Sequence, residues 1–175
     1  MANSILSSNK VIKRFGGLTA VNSVDIDVKE NSIHSIIGPN GAGKTTFFNC
    51  MTGFYKPEEG SILFNGHSLV GLRSDQIIVL GIARTYQNIR LFANLTALDN
   101  VLIGQHIHLK AGLIGGALRF PGTVREEKAA LTEANRLLNF VGLASKGNDI
   151  AKNLSYGDQR RLEIARALAS GLRTR

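Results

Sequence analysis

A chain of 175 residues suffices for one domain, or one domain with a small subdomain, and its 43% hydrophobic and 19% charged residues exclude a disordered or low-complexity class. The net charge of +8 invites a nucleic-acid or anionic-membrane reading, but no run of Lys and Arg exceeds two residues, so no basic stripe forms and solvated surface is the plainer account. The single Cys50 excludes an internal disulfide, the opening "MANSILSSNK" lacks a secretory pattern, and the longest apolar run with no more than one glycine, "IIVLGIA" at 77–83, is far shorter than the ~20 residues that span a bilayer.

Along the chain, "VDIDV" at 24–28 alternates as a strand with one wet face does. "SIHSIIG" at 32–38 is an apolar run ending in glycine and suits a buried strand. "TTFFNCMTG" predicts a short helix carrying Phe47, Phe48 and Met51 and closed by Gly53. "EEGSILFNG" predicts a strand with Asn65 and Gly66 as a hairpin turn. "SDQIIVLG" is helix-like, and "IARTYQ" at 82–87 returns as a strand.

The texture then changes. "LTALDNVLIG" opens a helix with Thr96 as N-cap and Asp99 three residues on. Residues 110–123 are glycine-rich and irregular. "VREEKAALTEANRLLNFVGL" is a long amphipathic helix with Ala130, Ala134, Leu138 and Val141 on one face and Gly142 at its end. The last helix sets Leu162, Ala165 and Leu168 on one side and Arg160, Arg161, Glu163 and Arg166 mostly outside. No repeat, long linker or low-complexity tract interrupts this order of a strand-rich half followed by a helical half.

The strongest chemical pattern is "GPNGAGKTT", Gly38 to Thr46. An anion needs converging backbone N–H groups, and Gly38, Gly41 and Gly43 give the backbone freedom to curl around one. Asn40 and Ala42 belong to the same loop. A helix starting near Lys44 aims its positive end at the same point. Lys44 then supplies a cation to the β- and γ-phosphates, the Thr45 hydroxyl a ligand to Mg²⁺, and Thr46 a contact to the α-phosphate. This loop alone leaves GTPases, nucleotide kinases, helicases and transporter motors open.

The tail narrows the choice. "LSYGDQRRLEIARALA" resembles the signature sequence of ABC-type ATPases, with Ser155 and Gly157 at its characteristic positions and Asp158 where Gln or Glu is more usual. Physically it is a second anion site, a serine and a glycine at a helix N-terminus. The resemblance implies that it meets the γ-phosphate of ATP held by a second ATP-binding subunit, in a head-to-tail dimer. Phe15 lies where the family places an aromatic that stacks on adenine, and Gln87 resembles the glutamine that reaches Mg²⁺ and the attacking water. The stretches "FGGLTAVNSV", "FNCMTGFYKPEEGSILFNG", "RTYQNIRLFANLTALDNVLIGQH" and "NLSYGDQRRLEIARALA" look like the ATP-binding subunit of branched-chain amino acid ABC importers.

That resemblance implies an α/β fold: a P-loop NTPase (RecA-like) core with an antiparallel β subdomain over 1–90, an α-helical subdomain over 91–170 ending in the signature helix, and an aberrant tail at 171–175. It implies ATP and Mg²⁺ as ligands, transmembrane permease subunits as direct partners from Gln87 to about Gly122, and a substrate-binding protein as an indirect one. No nucleic acid is expected, and the place is the cytoplasmic face of the membrane. The family also expects an apolar strand ending in Asp-Glu after the signature helix, and a later His. Only 16 residues follow Gln159, and His34, His67, His106 and His108 all precede the signature. The chain therefore reads as a truncated copy with an incomplete core sheet, "SIHSIIG" as an exposed apolar edge, and doubtful hydrolysis on its own. The alternatives are a soluble ABC-type ATPase acting on nucleic acid or ribosomes, and a non-catalytic nucleotide-binding fragment.

Overall fold

The computed structural model describes residues 4–85, 89–105 and 121–171, without the side chains of 121–124. The described residues fall into two units, Met1–Leu80 and Gly81–Arg175.

The first unit is built on an antiparallel sheet. Strand β1 (Ser4–Phe15) turns through Gly16 and Gly17 into β2 (Leu18–Lys29), and β3 (Glu59–Phe64) and β4 (His67–Ser68) complete the order β2-β1-β3-β4. The alternation of "VDIDV" is realised, with Val24, Ile26 and Val28 half-buried and Asp25 and Asp27 exposed. The ladder is irregular where Lys10 and Ser23 take positive φ of 46° and 51°, each at a register shift. Gly60, at φ 88°, sits against that irregularity: a Cβ there would fall 2.4 Å from the Lys10 carbonyl oxygen. Asn65 and Gly66 form the expected tight turn, both in the left-handed region, between the paired Phe64 and His67.

Helix α1 (Lys44–Met51) buries Phe47, Cys50 and Met51. Its end follows the expected glycine stop. Gly53 at φ 75° donates to the Cys50 carbonyl and Phe54 to the Asn49 carbonyl, which is the paired closure that a left-handed residue permits. Helix α2 (Ser74–Leu80) buries Ile77 beside it.

Two expected strands do not form among the described residues. Residues 32–38 form no strand, and Ile33 and Ile37 are 99% and 92% exposed. An apolar run becomes a strand only where a neighbour takes its N–H and C=O groups, and no described strand pairs with it. The exposure foreseen for this run is present; the strand is not. Residues 82–85 likewise join no ladder, and Tyr86 and Gln87 lie outside the described residues.

The second unit is helical: α3 (Ala97–Gln105), α4 (Pro121–Phe140), α5 (Tyr156–Gly171) and short 3-10 turns at Ala144–Lys146 and Ala151–Asn153. Thr96 caps α3 as expected. Its hydroxyl accepts from the Asp99 N–H at 3.0 Å, and the Asp99 carboxylate accepts from the Thr96 N–H at 3.2 Å. Buried Asn100 pins the approach, accepting from the Phe92 N–H and donating to the carbonyls of Phe92 and Thr96. Helix α4 begins at Pro121, inside the stretch expected to be irregular, because proline suits a first helical turn. Ala130, Ala134 and Leu138 are buried as expected and Val141 packs against the same core. On α5 the core face is Leu162, Ala165 and Ala169, not Leu168, which is exposed. Glu163, expected outside, is buried, and its carboxylate is held by Arg160 at 3.1 Å. Helices α3 and α5 meet at Gly104, where a Cβ would lie 2.6 Å from the Arg166 carbonyl oxygen.

Candidate nucleotide-binding site

The loop from Gly38 to Gly43 enters α1 through two left-handed residues, Gly41 at φ 86° and Gly43 at φ 81°. Gly43 is the N-cap, and no side chain caps the helix and no acid sits in its first turn. The position admits only glycine for a second reason: a Cβ would lie 2.0 Å from the Ala20 carbonyl oxygen of β2. Gly38 stands close to Ala42, 3.3 Å from a Cβ built there to the alanine's own. Ala42 donates to the Pro39 carbonyl at 3.3 Å, and Phe47 to the Gly43 carbonyl at 2.8 Å. Among the described residues the N–H groups of Gly41, Gly43, Lys44, Thr45 and Thr46 meet no acceptor. N–H donors without an acceptor at a positive helix end are the kind of group that an anion pairs with.

The Lys44 ammonium folds back over this loop and donates to the carbonyl oxygens of Gly38 and Pro39 at 2.6 and 2.7 Å. A cation parked on two neutral carbonyls beside free N–H donors exchanges them readily for phosphate oxygens. Asn40, Gly41, Ala42 and Thr45 are exposed, and Thr46 is half-buried. Beside the loop lies a cleft of ≈ 400 Å³, lined by Val21, Val24, Ile26, Ile37 and Phe47 together with the Gly41–Lys44 turn.

Phe15 stands at the end of β1, half exposed, with its ring edge-to-face on Tyr55 at 5.2 Å. The Lys13 ammonium lies 5.2 Å from the Phe15 ring centre. Lys13 also pairs with Glu58 and holds that carboxyl below its ordinary range. Burial pushes the Cys50 thiol up, so it is a core residue of α1 and not a nucleophile.

The signature turn belongs to the second unit. Ser155 caps α5, its hydroxyl accepting from the Asp158 N–H at 3.2 Å, and Gly157 lies exposed in the first turn with open space around it. Asp158 is buried and bonds Lys146 at 2.6 Å and Arg161. Those bonds, Lys146 foremost and then Ser155, hold its carboxyl below the usual carboxylate range. Asp158 is thus the strut under the turn, a role that sequence reading missed, because Lys146 carries no motif. Gln87 lies outside the described residues. Among the described residues no group of three or more His, Cys, Asp or Glu could hold a metal, and no helix is long and apolar enough to cross a membrane.

The family model for ABC transporters matches residues 21–173. The chain belongs to the ABC transporter family. Within that family it is 48% identical over 170 residues to the high-affinity branched-chain amino acid transport ATP-binding protein LivG of Salmonella typhimurium, covering 97% of this chain and 67% of that one. It is 46% identical over 168 residues to BraF, the corresponding protein of Pseudomonas aeruginosa, covering 96% and 66%. A crystal structure of an ABC-transporter ATP-binding cassette in its ADP conformation superposes at a TM-score of 0.79 with 32% identity, over 96% of this chain and 65% of that one. The chain therefore spans about two thirds of the length of the ABC proteins it matches. The P-loop NTPase fold class is that of these ABC cassettes, and the antiparallel sheet and helical unit are parts of it.

Proposed function

We propose that the chain is the ATP-binding part of the motor subunit of an ABC importer, with branched-chain amino acids as the cargo. The observation that carries the nucleotide reading is the uncapped, glycine-gated N-terminus of α1, where five N–H groups meet no acceptor among the described residues and the Lys44 ammonium rests on the carbonyls of Gly38 and Pro39 in the same loop. The likeness to LivG and BraF, both branched-chain amino acid transport ATP-binding proteins, supports the importer over an ABC-type ATPase acting on nucleic acid.

In this reading Gly38 to Thr46 hold the phosphates, with Lys44 on the β- and γ-phosphates and Phe15 against adenine. Mg²⁺ would be held by the Thr45 hydroxyl, on a residue that is exposed, and by Gln87, which lies outside the described residues. When bound, the ion neutralises charge on the phosphates. Ser155 and Gly157 face the nucleotide of a second ATP-binding subunit, and closure and opening of that dimer drive the transmembrane permease subunits. The substrate-binding protein acts on the far side of the permease, and this chain sits at the cytoplasmic face.

The test is a titration of the chain with a fluorescent ATP analogue. A charge-assisted hydrogen bond is worth about 1.5–3 kcal/mol, so Lys44→Ala should weaken binding by about tenfold or more. Unchanged affinity in a folded variant removes the phosphate assignment.

A further inference from the structure

Phe15 ends a strand and enters a turn of two glycines, Gly16 at φ 57° and Gly17, with open space where a Cβ would stand on either. A 43% exposed ring on such a turn would swing freely, and a mobile ring is a poor stacking platform because each binding event must first order it. Two neighbours remove that freedom. The Tyr55 ring meets it at 5.2 Å and 77°, the edge-to-face geometry that aromatic quadrupoles favour. The Lys13 ammonium lies within cation–π reach of both rings, 5.2 Å from Phe15 and 6.0 Å from Tyr55. Lys13 is itself fixed, donating to Glu58 at 2.6 Å and to the Lys56 carbonyl at 3.0 Å, and the other Glu58 oxygen accepts from the Arg14 N–H at 2.7 Å. Its side chain is only 13% exposed, so the cation is held against the two rings rather than left in solvent, while the Phe15 ring itself stays 43% exposed.

The mount is tied to the phosphate loop at both ends of α1. At the C-terminal end the Tyr55 N–H donates to the Asn49 carbonyl at 3.1 Å. At the N-terminal end the hairpin that carries Phe15 runs on to Ala20, whose carbonyl abuts Gly43. Helix α1 thus sets the distance between an aromatic face and the phosphate loop.

We infer that Tyr55 and Lys13 are positioning residues that hold the Phe15 ring as the platform for the nucleotide base. The inference rests on the reading of Phe15 as the adenine contact, and it deepens that site rather than adding another. It separates base binding from phosphate binding: Tyr55 and Lys13 act on the base alone.

The experiment compares Mg²⁺-ATP with Mg²⁺-tripolyphosphate, which offers phosphates without a base, on the 175-residue chain by calorimetric titration. Tyr55→Ala should weaken ATP about three- to tenfold, the value of an aromatic pair, and leave tripolyphosphate within about twofold. Tyr55→Phe, which keeps the ring edge, should restore ATP affinity. Lys13→Met, which keeps the stem, should give a smaller loss with the same selectivity. Tripolyphosphate binding also reports that each variant is folded. Equal losses for both ligands would show a merely structural role and overturn the inference. If Phe15→Ala weakens ATP selectively while Tyr55→Ala and Lys13→Met do not, the platform stands and its mount falls. If Phe15→Ala leaves ATP unchanged, the adenine contact itself is wrong.

Discussion

Asp158 lies in the first turn of α5 between Lys146 and Arg161, buried, with Ser155 capping the same turn. A buried carboxylate is tolerated only when paired, and removing its charge strands two cations. Its carboxyl is held below the ordinary value, first by Lys146. The unfolded carboxylate titrates near pH ~3.9. Stability from this group is therefore complete above that value and is lost as pH falls through the lower, folded one. Glu133 is shifted the same way by Arg136, but that pair is only partly covered on one helix face and contributes little. The helical unit should lose stability below about pH 4. Asp158→Asn should lower the melting temperature at pH 7 and flatten that acid limb, followed by circular dichroism from pH 3 to 7. An acid limb as steep in the variant as in the parent would assign the titration elsewhere. In the sequence Asp158 was legible only as an uncommon residue in a motif. Its partner Lys146 lies in a short turn without pattern, and pairing at that separation is a tertiary fact.

At the scale of elements, local chemistry carried far. The Thr96 and Asp99 capping pair, the Asn65–Gly66 turn and the glycine stops at Gly53 and Gly142 are short-range rules, and each is realised. What failed depends on neighbours. Strand β1 carries no clean alternation because Lys10 interrupts its ladder, so its 12 residues gave little pattern. The α5 face rotates from Leu168 to Ala169 because α3 approaches closely enough to need a small residue there. Gly104 makes that approach possible, with the Ala169 Cβ only 3.1 Å from where its own Cβ would be. The obstructing Arg166 carbonyl is backbone and cannot swing aside. Gly104→Ala should therefore destabilise the helical unit by about 1–3 kcal/mol, the usual cost of overpacking, despite alanine's better helix propensity. Urea unfolding monitored by circular dichroism reads this directly; an unchanged or raised midpoint would mean that the helices can separate without cost.

For the whole molecule, the apolar residues that the sequence offered to a core and the ones that reach it are different sets. Ile62, Leu69, Ile77 and Val11 are buried in the first unit, whereas Ile33 and Ile37 are 99% and 92% exposed. Ile37 borders the ≈ 400 Å³ cleft beside β2 and α1, with Val24, Ile26 and Phe47 on the other walls. Fully burying an isoleucine side chain contributes about 1.5–3 kcal/mol, and neither of these two gains it within the chain. A run of apolar residues with unpaired backbone groups finds a partner between molecules instead. The net charge of +8 opposes that association, and more weakly as salt screens it. The 175-residue chain should thus self-associate at micromolar concentration, increasingly at high ionic strength, by sedimentation velocity. Ile33→Lys with Ile37→Lys should shift it to monomer. ATP-analogue affinity should stay within about twofold, since neither side chain belongs to the proposed phosphate loop from Gly38 to Thr46 and the nearer lysine adds little once screened. Association that persists undiminished in the double variant would move the sticky surface elsewhere. A parallel loss of nucleotide affinity would show that 33–37 props the phosphate loop, and the cleft would then be part of the binding site.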